Sequence, residues 1–243
     1  MKKYFHSVAV MATASLLLFA ASCKEETVHG EGAITTEQKS VSDFDKIIID
    51  LPGNANIYVG ETAEVDVKTH HNLHEYIKTE VTAGTLRVYR KSGILNFDFS
   101  NIDINIHLPR LAKLQINGAA DAKIHGDLNG DDFELHVRGA SDVEIEKMHI
   151  DKLDVVLSGA SELDINSGTV NSANYKVTGA GEVNAEKLVT AEAKARVSGA
   201  GDMRLHVTNK LDARISGAGE IGYTGHPELT SKVTGIGSIT DRN

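Results

Sequence analysis

From Leu114 to Ile239 apolar and polar positions alternate on both sides of a recurring Gly-Ala step. Two residues before the shared glycine stand Ile116, Val137, Leu157, Val177, Val197, Ile215 and Val233. Four residues after it stand Ala122, Val143, Leu163, Val183, Met203, Ile221 and Ile239. The position just before the glycine is polar in every copy: Asn117, Arg138, Ser158, Thr178, Ser198, Ser216 and Thr234. Period-two alternation of this kind predicts two short strands joined by a tight corner, each burying one face. The glycines themselves, Gly118, Gly139, Gly159, Gly179, Gly199, Gly217 and Gly235, follow one another at 21, 20, 20, 20, 18 and 18 residues. A period so steady marks a stacked solenoid.

A turn of about twenty residues is too short for a strand–helix–strand unit, whose crossover alone takes a dozen or more. The pattern therefore predicts an all-β chain: a single-stranded parallel β-helix with coils of about 18–21 residues, aliphatic columns filling its centre. Glycine and alanine suit the corners because adjacent coils lie roughly 4.8 Å apart and larger side chains would crowd there. An antiparallel sandwich can use the same strands, but it gives no reason for one fixed period.

Ahead of the repeats, residues 44–113 form a β-rich N-terminal part without the Gly-Ala phrase. Strands are predicted at Lys46–Leu51, Ala55–Gly60, Glu64–Lys68 and Ile102–Leu108, with a hairpin around Ala83-Gly84. His71 to Tyr76 read as one helical turn. No linker interrupts 109–114, so residues 44–243 make one domain, with the repeats over 114–240. Residues 23–43 are polar and poorly periodic and are expected to be a flexible tether.

The first 22 residues read as an address rather than a fold. Lys2 and Lys3 precede an apolar run from Val8 to Ala21 that is too short to span a membrane comfortably. Ala20-Ala21-Ser22 before the lone Cys23 resembles a bacterial lipoprotein cleavage box, which implies a signal peptide over 1–22 and lipid attachment at Cys23. A single cysteine has no internal disulfide partner, so it needs another role. Lys24-Glu25-Glu26 resembles the short charged signal some Bacteroidetes-type lipoproteins use to reach the cell exterior. The location expected is the cell envelope, as an outer-membrane lipoprotein that is surface-exposed in one reading and periplasmic in the other.

The Gly-Ala-Ser/Gly-Asp/Glu phrase, the Phe-Asp-Lys-Ile start at 44–47 and Tyr-Ile-Lys-Thr-Glu-Val at 76–81 together resemble a bacterial family. It is named "putative auto-transporter adhesin, head GIN domain", and the likeness covers roughly residues 44–240. The resemblance implies a β-helical envelope protein with an adhesive role. It brings no catalytic residues with it.

Composition narrows the function further. The formal charge of −9, which becomes −11 once Lys2 and Lys3 leave with residues 1–22, disfavours nucleic acid as a partner. Trp is absent and aromatics make up only 5%, so stacking platforms for sugars are scarce. Three side-chain sets carry candidate chemistry. An acid stands three residues after six of the glycines: Asp121, Asp142, Glu162, Glu182, Asp202 and Glu220. Stacked, they form a carboxylate column that cations such as calcium can bridge. At that spacing in water the repulsion is only about 1 kcal/mol per pair. A solvated edge whose acids accept backbone hydrogen bonds is therefore the favoured alternative. Lys176, Arg196, Arg214 and Lys232 form an outward basic column, fit either to grip an acidic polymer or to keep the sheet soluble. His70, His71 and His74 make a His-His-x-x-His cluster whose metal-binding reading lacks support from any cysteine or zincin motif.

No Ser-His-Asp set, phosphate loop or cofactor fingerprint is present. The expectation is a non-enzymatic, lipid-anchored envelope protein without cofactor or metal, offering its surface to an extracellular macromolecule. The alternatives are a carbohydrate-binding or carbohydrate-active β-helix and a structural subunit that self-associates as a homo-oligomer.

Overall fold

The structure, a computed structural model, describes residues 27–93 and 96–243. Cys23 and the signal-like stretch 1–22 lie outside the described residues. Nine strands precede the repeats: β1 (Thr27–Val28), β2 (Ile34–Lys39), β3 (Lys46–Asp50), β4 (Gly53–Val59), β5 (Glu64–His70), β6 (Ile77–Thr82), β7 (Thr85–Arg90), β8 (Asn96–Phe97) and β9 (Asp103–Leu108). The repeats supply β10 (Lys113–Gly118), β11 (Ala120–Gly139), β12 (Asp142–Gly159), β13 (Glu162–Ile165), β14 (Gly168–Gly179), β15 (Glu182–Gly199), β16 (Asp202–Gly217), β17 (Glu220–Thr224), β18 (Glu228–Gly235) and β19 (Ser238–Asp241). Between β10 and β19 every pairing is parallel, and the shared glycines align coil over coil from Gly118 to Gly235. The predicted parallel β-helix is the fold.

Each coil has three sides rather than two strands and a loose return. The first face carries the strands that end at the shared glycine. The second begins at the corner acid. A shorter third side pairs Leu128 with Met148, Met148 with Gly168 and Gly168 with Leu188. The coil lengths follow from this third side. Gly126 is a one-residue bulge in the 21-residue coil, at a register shift between Ile124 and Asp127. In the 18-residue coil after Gly199, residues 186–188 have no counterpart, while two residues stand opposite Ala191. The net loss is two.

The aliphatic columns are the core. Val137 and Val177 are 0% exposed and the same position stays buried through Ile215. Tyr175, also fully buried, sits beside Ala195 and next to the Ala173–Ala193 rung, so small side chains make room for its ring. Burial of such aliphatic residues at about 25 cal/mol per Å² is the main stabilising term.

The N-terminal third adds two coil layers out of sequence order. β3 and β4 lie between the repeats and the β7/β9 layer, which the chain enters later. Antiparallel strands close this end: β6 beside β7 on the first face, β5 and then β2 beside β9 on the second. The expected hairpin at Ala83-Gly84 is present, and the helical turn is a 3-10 turn at His71–Leu73. The segment expected to be a flexible tether holds β1 and β2 instead. Apart from the exposed Ile34, β2 is polar, so its strand rests on six rungs with β5 and not on its own hydrophobicity. Asp98 adds a fastening at β1–β8 by accepting the Gly30 N–H at 3.2 Å. Among the described residues no helix is long and apolar enough to cross a membrane.

Candidate ligand-facing groove

Strand alternation turns every second residue of the second face outward, and the in-register stack makes these residues into rows. The first row runs Asp103, Asn54, Asp121 and then the corner acids Asp142, Glu162, Glu182, Asp202 and Glu220. Beside it runs a second row: Asn105, Asn56, Lys123, Glu144, Asp164, Asn184 and Arg204. The first row as far as Glu162 and the second as far as Asn184 line a shallow groove of about 850 Å³, with Asn166 and Lys187 on its rim. Sequence reasoning picked out the six corner acids of the first row and missed Asp103, Asn54 and the second row. The missing signal was the polar residue two places after five of the six corner acids, which period two puts on the same surface; after Glu220 that place is Gly222.

The corner acids serve partly as backbone acceptors. Asp121 takes the N–H of Asp142 at 3.1 Å and Asp202 that of Glu220 at 2.8 Å, each from the following coil. Arg204 pairs with Glu182, Asn184 donates to Asp164 at 2.9 Å and Lys123 reaches Glu144 at 3.0 Å. Glu162 stands at the centre of what remains. Burial, Asp164, Glu182 and Asp142 in that order push its pKa up. The carboxylates are spread along the sheet at the coil spacing, and among the described residues no group of three or more His, Cys, Asp or Glu side chains converges to hold a metal ion.

At one end the groove abuts a ring stack. Tyr58 lies between His107 and His125, at 4.6 and 4.7 Å between centroids. His125 contacts Glu146 at 2.9 Å, and the Gly126 N–H followed by His125 holds that carboxyl below its usual range. Both faces of the Tyr58 ring are covered by imidazole.

The basic column is in register on the first face, Lys176–Arg196–Arg214–Lys232, around a smaller depression of about 310 Å³. Asp212 engages Arg214 at 2.9 Å and Arg196 at 3.7 Å, so two of its four charges are already partnered. The histidine cluster does not assemble into one site. His70 Nδ1 contacts the Gly32 carbonyl at 3.0 Å, while His74 is buried with Nε2 3.0 Å from Thr35 Oγ1. Burial pushes the His74 pKa down.

The comparisons with known proteins agree with the fold. The model of the family described as "Putative auto-transporter adhesin, head GIN domain" matches residues 43–227. A crystal structure of a putative adhesin from Bacteroides fragilis is similar at TM-score 0.83 and 24% identity, covering 88% of this chain and 99% of its own. A putative lipid binding protein from Parabacteroides distasonis is similar at TM-score 0.74 and 24% identity, with the same coverage. A putative adhesin from Parabacteroides merdae follows at 0.71 and 22%, covering 88% and 98%. A comparison with curated proteins finds no match.

Proposed function

The chain belongs to the family described as "Putative auto-transporter adhesin, head GIN domain", and from that premise we propose a non-enzymatic, lipid-anchored adhesin held at the outer membrane through Cys23. Its second face is the binding surface. The observation that carries this reading is the repetition itself: outward polar side chains recur at the same two positions along the groove coil after coil. A hydrolase or lyase needs singular acids at one point, whereas an extended macromolecule is matched by rows. The second face is favoured over the basic one because its groove is larger and because Asp212 already occupies Arg196 and Arg214.

The rows of Asn amides, carboxylates and Lys ammonium groups present donors and acceptors together, which suits a hydroxyl-rich glycan or a polar protein segment. Stacking contributes little here, since His107 and His125 cover Tyr58. One structural neighbour is described as lipid binding. In this chain side chains such as Phe133 and Tyr175 fill the interior, so an acyl chain would have to lie outside it.

Protease shaving of intact cells tests the anchor and the address together. The parent is expected to be cleaved from the cell exterior and to fractionate with membranes, and Cys23→Ala to be released from them. A parent protected in whole cells would contradict surface display. A Cys23→Ala variant held as firmly as the parent would contradict the lipid anchor.

A further inference from the structure

The two ends of the solenoid are finished differently. At the N-terminal end the closing strands make a step, one layer beyond β7 on the first face and two beyond β9 on the second. At the other end β18 and β19 belong to the same coil and finish level. β18 pairs with β16 and β19 with β17, each along one side. The inward column residues of this last coil are uncovered: Leu229 is 40% and Val233 42% exposed, against 0% and 2% for Leu211 and Ile215 one coil earlier. Ile236, at the corner where the six earlier copies carry alanine, is 89% exposed. An open strand edge with apolar residues beneath it is a template for further pairing.

We propose that this end docks a second copy of the same chain, β18 against β18 in antiparallel register about a two-fold axis at Ser231. The sequence of β18 is self-complementary in that register. Leu229 falls opposite Val233 of the second copy on the core side, and Val233 opposite Leu229. On the outer side Glu228 falls diagonal to Lys232 of the second copy, within reach of long side chains at roughly 7–8 Å between backbones. The pairing buries the four exposed aliphatic residues of the two β18 strands and satisfies both open edges, and a two-fold contact closes on itself without forming fibres. Head-to-tail stacking fits less well, because a level end meets a stepped one. In the dimer the two capped N-terminal ends of the solenoids point away from the junction.

The test uses the full-length chain purified in detergent and analysed by native mass spectrometry and non-reducing gels. The expected result is a concentration-dependent dimer. Lys232→Glu, an outward change that leaves the coil intact, weakens it about tenfold or more. Combining Glu228→Lys with Lys232→Glu restores it. Ser231→Cys gives a disulfide-linked dimer, and Thr230→Cys, whose opposite residue is Lys232, does not. A monomer at every concentration overturns the proposal, including one whose edge takes up an unrelated chain. So does a dimer that is indifferent to Lys232→Glu and not linked through position 231.

Discussion

The carbonyl oxygen of Gly139 stands where a Cβ on Gly159 would have to go. The same relationship repeats up the corner from Gly179 to Gly235, with each glycine facing the carbonyl of the one before. Gly118, at the bottom of the stack, faces open space although its φ of 122° is equally unsuited to a side chain. Gly118→Ala therefore meets backbone strain alone, about 1–3 kcal/mol. Gly159→Ala adds a steric clash of similar size and is expected to cost roughly 3–5 kcal/mol. Paired denaturant titrations check this; equal losses would show that crowding at the corner contributes nothing.

Column position decides the cost of truncation. Leu157→Ala removes a buried rung, and about 2–4 kcal/mol should follow. Val233→Ala, in the exposed last coil, should cost less than about 1 kcal/mol in the monomer. Unfolding curves at low protein concentration keep the comparison free of association.

Tyr175 offers the opposite result. Its ring fills the core, but its hydroxyl is buried and completes no well-formed hydrogen bond, and burial pushes its pKa up. Tyr175→Phe keeps the packing and removes the desolvated group, so stability is expected to be unchanged or to rise by up to about 1 kcal/mol. A clear loss in thermal melts would mean that the hydroxyl has a partner such as Thr190.

The acid rows predict a pH dependence. Glu162 has a folded-state pKa raised above its unfolded value by burial and by Asp164, Glu182 and Asp142. The stability it contributes is complete below the unfolded value and is lost as pH rises through the folded one. Glu162→Gln should thus raise the melting temperature at neutral pH and make no difference at pH below about 4. A variant no more stable than the parent at neutral pH would show that solvent fully screens the row.

The repeat architecture was legible in the sequence because each rung recurs. Val137, Leu157 and Val177 announce one column and Gly139, Gly159 and Gly179 one corner. The third side was not legible. Its inward positions mix Leu128, Met148, Gly168 and Leu188, and the register slips at Gly126 and at 186–188 hide the period there. β2 escaped notice because a polar edge strand takes its conformation from the partner it pairs with, here β5, which the local sequence Ile-Thr-Thr-Glu-Gln-Lys does not reveal. In the groove the six corner acids of the first row were found from their shared charge, whereas Asp103 and Asn54 lie outside the repeats and were not. The second row went unseen because Lys123, Glu144, Asp164, Asn184 and Arg204 share only polarity. The out-of-order stacking of β3/β4 beneath the first repeat lies beyond any local pattern, since parallel pairing across many residues is decided by the assembled core.

The measurement that bears most directly on the functional account is attachment of intact cells carrying the parent or a groove variant. Glu144→Lys with Asp164→Lys reverses the second row at two adjacent rungs while leaving every inward residue in place. With surface display held equal by antibody labelling, the account predicts that cells with this variant lose attachment while cells carrying Lys176→Glu, on the basic face, retain it. Full attachment by the groove variant, or loss confined to the basic-face variant, would contradict it.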